Sequence, residues 1–236
     1  MSIVKSNFVL YGIDNIRLGI LHVLFIFPIT VFAGTAIDTC AHLGEENTVM
    51  LQGRVSQIII VKPSEGIHAT VIACQKNKGQ WQKVFKRSAS AVMGRNGVVT
   101  SDKKHEGDLK TPAGIFPIGD TFGAAPLAVK MDYKYITQED KYIDDSSSPD
   151  YNTWVYGETN AKHYEQMSIK AYRLGAVIHY NKHPTKPDAG SAIFMHIWKN
   201  ESTPTAGCIA MSKENLLNIL YWLDKRQHPH IWITLH

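Results

Sequence analysis

The chain is short of cysteine, of clustered positive charge, of helical periodicity and of long apolar runs, and each shortage closes off a class of protein. Three cysteines in 236 residues, Cys40, Cys74 and Cys208, are too few for a disulfide-built scaffold, and the odd number leaves at least one thiol unpaired. The 25 basic and 21 acidic side chains are scattered, giving a formal charge of +4 without the Lys/Arg stripe of a nucleic-acid groove. No nucleic-acid partner is expected, and the mild positive balance suits an anionic cell envelope. There is no internal repeat and no sign of a second domain. His228 and His230 find no acidic partner at helical or strand spacing, so neither a metal nor a cofactor is expected.

The longest apolar run, Leu18 to Phe32, covers about 15 residues, below the roughly 20 that cross a bilayer as a helix. Lys5 and Arg17 precede it, His22 and Pro28 interrupt it, and Val31-Phe32-Ala33 ends it with a cleavage pattern. Residues 1–33 therefore read as a secretory signal that exports the remainder to the periplasm or cell envelope, with retention as an uncleaved anchor the alternative. Ile37-Asp38-Thr39 places a carboxylate and a hydroxyl where lipoprotein processing wants small residues, which argues against a lipid anchor at Cys40. Residues 34–54 read as an arm or linker. Disulfides persist in an exported protein. Either Cys40 pairs with Cys74, or Cys74 is a packed residue of a strand and Cys40 sits on a mobile arm. Cys208 stays available in both cases.

Residues 55–236 read as one mainly β domain with a few helices. Gln57 to Lys62, His68 to Gln75 and Gln80 to Phe85 are β-branched or aromatic runs separated by turn compositions, which predicts an antiparallel meander. Gly175 to Tyr180, Ser191 to Trp198 and His230 to Leu235 are further strand candidates. The clearest helix signal is Ser212 to Gln227, where Ser212 can cap and Leu216, Ile219, Leu220 and Leu223 share a face. A weaker one covers Ala161 to Met167. Residues 133–160 are polar, Tyr-rich and irregular, which predicts a long loop over one face of the sheet. Asp144 and Asp145 fall in it and read as solvated. Trp198, Trp222 and Trp232 read as core or groove walls.

A cysteine attacks only as its thiolate, so it needs a base, a favourable electrostatic setting and donors for the oxyanion it creates. Cys208 lies in the small-residue turn Thr205-Ala206-Gly207-Cys208, just before the capped helix, and Gly207 permits close backbone approach. His196, twelve positions earlier in a strand-like run, can be folded back onto it by the turn-forming segment Lys199 to Pro204. Alone, a cysteine is more often packed than catalytic, and a strand histidine is usually a core group.

The ordered motifs go further. Ser191-Ala192-Ile193-Phe194-Met195-His196 followed by Thr205-Ala206-Gly207-Cys208-Ile209 resembles the signature of L,D-transpeptidases of the YkuD type. Gly94-Arg95-Asn96-Gly97, the run Glu106 to Phe116, and the pairs Tyr151-Asn152 and Tyr180-Asn181 resemble further segments of that family, so that the likeness spans residues 55–236. It implies a single β-sandwich or barrel domain in which Cys208 attacks a peptidoglycan stem peptide at its third residue. A thioester forms, the terminal D-alanine leaves, and an amine on another stem or protein takes the acyl group. His196 would be the base, a backbone carbonyl would orient it, and amides around Ala206, Gly207 and Cys208 would hold the oxyanion. The resemblance also places Thr205, Gly94, Asn96 and Thr111 near substrate, although the Gly107 to Gly114 run equally suits a tight turn. Carbapenem-type β-lactams are the inhibitors it implies.

The sequence departs from the commoner pattern, which has a second histidine before the Gly-Cys pair and an Asn or Arg after it. Ala206, Ala210 and Met211 stand there instead, which removes a second imidazole and an arginine clamp. Transfer to an amine therefore competes with transfer to water, as in an L,D-carboxypeptidase or endopeptidase. A non-catalytic wall-binding module would have no use for the Cys/His pair.

Overall fold

The computed structural model describes residues 39–41, 43 and 54–235. The expected signal segment and most of the expected arm lie outside them. No helix among the described residues is long and apolar enough to cross a membrane.

The β-branched run of β1 (Gln57–Pro63) pairs antiparallel with β2 (His68–Asn77), which pairs with β3 (Gln80–Lys83), so the expected meander forms. Next in the chain come β4 (Ala89–Val92), β5 (Val98–Thr100), β6 (Thr111–Gly123), β7 (Tyr133–Tyr135), β8 (Asp140–Ile143), β9 (Trp154–Tyr156) and β10 (Tyr164–Gln166). β11 (Leu174–Ile178), β12 (Phe194–Ile197), β13 (Ile209–Met211) and β14 (His230–Ile233) complete the strands. The main sheet runs β1-β14-β6-β11-β12-β13-β4-β2, and β2 pairs again with β1, so the sheet closes on itself as a barrel. Closure satisfies strand edges that would otherwise invite association. The inward residues of alternate positions, among them Ile59, Val61, Met195, Ile209 and Ile231, form the principal core.

Helix α1 (Lys213–Trp222) begins where Ser212 Oγ accepts from Asn215 N, and its Leu216, Ile219 and Leu220 enter the same core. It stops at Trp222, earlier than the expected Gln227. Leu223 turns extended, and Asp224 starts a separate 3₁₀ turn by accepting from Arg226 N.

Cys40 and Cys74 are joined, with Cα atoms 5.7 Å apart, which decides between the two readings of these residues. Both are buried with Leu43, Ile58, Ile60 and Trp81 on the outer side of β1 and β2.

Two expectations fail in one region. Residues 133–160 are not a plain loop, because β7 joins β6 while β8 and β9 pair with each other. Residues 161–167 are not a helix: β10 within them pairs with β8, giving a small sheet ordered β10-β8-β9. Tertiary pairing overrides the weak helical pattern, and Lys162 N is held by Asp145 Oδ2 at 2.7 Å. β6, the longest strand, escaped notice because its sequence TPAGIFPIGDTFG reads as turn composition.

Candidate active site

β12 and β13 lie side by side in parallel, with Met195 opposite Ile209 and His196 opposite Ala210. Strand alternation sends Met195, Ile209 and Met211 into the barrel core. His196, Cys208 and Ala210 are left on the other face, where all three line one cavity of ≈ 400 Å³.

Cys208 is 6% exposed. Its Sγ receives the Phe194 N–H at 3.3 Å and donates to the Ala192 carbonyl at 3.2 Å. Burial pushes the thiol far above its ordinary pKa and the Glu165 charge adds to this, while the Phe194 amide and Lys104 oppose it. His196 is nearly as buried. Its Nδ1 lies 2.9 Å from the Ile197 carbonyl. A carbonyl only accepts, so Nδ1 carries the proton and Nε2 is left as the basic atom. Burial lowers the imidazole pKa below its usual value, against the pull of that carbonyl. Both shifts favour neutral forms, so the resting pair is thiol and imidazole. The Tyr172 ring stands edge-on to His196, centroids 5.2 Å apart.

Thr205 builds the turn that carries the thiol. Its hydroxyl donates to the Cys208 carbonyl at 2.7 Å and accepts from Gly207 N at 3.1 Å. Its backbone bridges to Met93 and Arg95. Gly94 N donates to Thr111 Oγ1 at 2.9 Å, and a Cβ on Gly94 would sit 2.5 Å from the Leu109 carbonyl oxygen. Gly207 has φ 153°, and a Cβ there would meet the Lys110 carbonyl at 2.9 Å. Asn96 holds the same turn through Leu109 and Asp108 carbonyls. Thus Thr205, Ala206 and Gly207 line the cavity with Cys208 and His196, whereas Gly94, Asn96 and Thr111 stand off its lining and link the Thr205 turn to residues 108–111.

Asn152, at φ 60°, ties three segments together: Nδ2 donates to the Tyr180 and Asn181 carbonyls at 3.0 and 2.8 Å, and Oδ1 accepts from Ala192 N at 3.2 Å.

The cavity also carries residues that sequence reasoning missed. Asp144 is not on a solvated loop but lines the cavity, and Asp145 is buried and accepts from Ser147 and Lys162. Asp144 Oδ1 is buried with no hydrogen-bond partner among the described residues. Glu106 accepts from Ser191 Oγ at 2.7 Å and from Tyr151. Glu165 accepts from the Tyr172 hydroxyl, and burial, reinforced by Asp144 and Glu106, pushes its carboxyl up to about 7 against that hydrogen bond. Glu165 and Tyr172 carry no local signal, because only the β8–β10 pairing and a 3₁₀ turn at Lys170–Tyr172 bring them together. Trp198 also lines the cavity, as a groove wall.

A closed barrel with an unpaired thiol and an imidazole on adjoining strand ends at one cavity has the make-up of an acyl-transfer catalytic domain. The family model for the L,D-transpeptidase catalytic domain, YkuD, matches residues 56–231, and the chain belongs to that family. The family acts on peptidoglycan stem peptides. No curated protein matches the chain.

Proposed function

We propose that the chain is an exported L,D-transpeptidase that works through a thioester on Cys208. The observation that carries this reading is the placement of Cys208 and His196 on one face, on one cavity, with the basic atom of the imidazole left open by the Ile197 contact. His196 Nε2 takes the thiol proton as Sγ attacks the carbonyl of the third stem residue, then delivers it to the departing D-alanine amine. An acceptor amine next attacks the thioester, gives its proton to the same nitrogen, and the thiol is restored. The oxyanion falls to the amides of Ala206 and Cys208, since Gly207 N is taken by Thr205. The carboxylates of Glu106, Asp144 and Glu165 favour an acceptor that arrives as an ammonium. The Cys40–Cys74 disulfide supports export, because such bonds survive in oxidising compartments.

Incubation of residues 34–236 with a disaccharide tetrapeptide, followed by mass spectrometry, tests the reading. Crosslinked dimers or exchange of the terminal D-amino acid are expected. Tripeptide as sole product would make the enzyme a hydrolase instead. Cys208→Ala should abolish both, and a carbapenem should add its mass to the wild type and not to that variant.

A further inference from the structure

Glu165 sits on β10 opposite Tyr142, on the wall of the cavity that also holds Cys208 and His196. Its carboxyl accepts from the Tyr172 hydroxyl, and the other end of that tyrosine, the ring, meets the His196 imidazole edge-on at 82°. The phenol is thereby fixed at both ends, one on a carboxylate and one on an imidazole. The His196 ring is also fixed in its plane at two points, the Ile197 carbonyl and the Tyr172 ring. Glu165 and Cys208 interact through the same cavity, since the carboxylate charge opposes thiolate formation. We propose that Glu165 is a positioning residue for acyl transfer: through Tyr172 it sets the plane of His196, and from the same cavity wall its charge acts on Cys208. This rests on Cys208 and His196 being nucleophile and base.

The groups facing Glu165 are the Tyr172 hydroxyl from the 3₁₀ turn, Tyr142 and Asp144 from β8 and its end, Glu106 from the segment before β6, and Cys208 ahead of β13. Lys104 acts on Cys208 from the same side. Burial and the two neighbouring carboxylates hold the Glu165 proton up to about pH 7, whereas Tyr172 works the other way. Below that pH the carboxyl is neutral and the restraint on the thiol lifts. Above it the charge is present and the restraint returns.

Three variants separate the two arms of the proposal, read by kcat against pH on a stem tetrapeptide and by the pH dependence of Cys208 alkylation with iodoacetamide. In E165Q the amide oxygen still accepts from Tyr172. An amide does not titrate, so the inflection near 7 is lost and alkylation moves to lower pH, while kcat stays within about threefold because the Tyr172 contact is kept. In Y172F the ring remains but the bond to Glu165 is lost, so the inflection moves above 7 and kcat falls by about tenfold with KM little changed. E165L loses acceptor and charge together, combining the larger kcat loss with the missing inflection. An E165Q protein whose two pH profiles superimpose on the wild type, or a Y172F protein whose inflection stays in place, overturns the proposal. Alkylation requires no stem peptide. A shifted alkylation profile in a protein that turns over no stem peptide would therefore keep this inference and discard the substrate assignment alone.

Discussion

The Cys208 thiol donates to the carbonyl of Ala192 at 3.2 Å, and Ala192 itself holds an unusual φ of 52° with its N–H on Asn152. The Cys208 proton thus has a resting acceptor other than the proposed base. Under the proposed mechanism the proton must leave its contact with the Ala192 carbonyl for His196, so the thiolate is made on demand and not stored.

This sets the pH behaviour. Burial depresses the His196 pKa below 6.5, so the imidazole is already basic at neutral pH and the acid limb of kcat/KM that it governs should fall below pH 6.5. The same depression has a stability consequence of fixed sign. The unfolded chain binds the proton more readily, so this residue makes folding less favourable as pH drops through 6.5 toward the folded value. Raised by burial, Cys208 should react slowly with iodoacetamide at pH 7 and accelerate only in alkaline solution. Rapid alkylation at pH 7 would contradict a parked thiol.

Thr205→Val keeps the shape of the side chain and removes both bonds of the hydroxyl, to the Cys208 carbonyl and from Gly207 N. The loss should be about 1–3 kcal/mol in urea unfolding. The drop in kcat/KM should exceed what the unfolded fraction explains, because the turn carrying Sγ loses its internal tie. A stability loss without a change in kcat/KM would mean that the turn holds its geometry unaided.

Gly94→Ala should be worse than its size suggests. The added methyl would sit 2.5 Å from the Leu109 carbonyl, a backbone atom that cannot swing aside. Overpacking of about 1–3 kcal/mol is expected, with reduced activity transmitted through Thr205. Equilibrium denaturation of the purified variant measures it, and a neutral result would show that the Leu109 to Thr111 segment yields easily.

The disulfide spans 34 positions and lies against β1 and β2, on the side of the sheet that packs around Trp81. Cys40→Ser/Cys74→Ser should cost about 3–4 kcal/mol by the chain-entropy relation for a loop of this length. Activity at 25 °C should be largely kept, since neither residue lines the cavity. A large fall in kcat with unchanged stability would reverse that division of labour.

How much of this was legible from residues alone depended on whether local pattern or tertiary contact decides each element. β1, β2, β11, β12 and β14 announce themselves as apolar runs rich in β-branched or aromatic residues, and α1 announces itself through Ser212 and its leucines. β6 does not, because it needs Pro and Gly where neighbours press closely: Pro117 pairs with His230, and a Cβ on Gly119 would overlap the His179 ring. At the site, ordered motifs single out Cys208 and His196, and the fold sets both on one cavity. Thr111 was visible, but its service to Gly94 was not, since 17 positions of chain separate the two groups. Glu165 and Tyr172 stand in an unremarkable stretch. Their meaning exists only once β10 has chosen β8 as its partner and not a helix.

Asn152 has a mechanical consequence. By gripping Tyr180, Asn181 and Ala192 at once, it rivets the turn between β8 and β9 to the approach to β12. The wall bearing Asp144 and Glu165 is therefore anchored to the barrel through Asn152. The facing wall, residues 199–204, is organised around Asn200, whose side chain serves Ser202 and Thr203 within the same turn. The acidic wall is thus tied to the barrel by bonds between distant segments, whereas residues 199–204 are tied within their own turn.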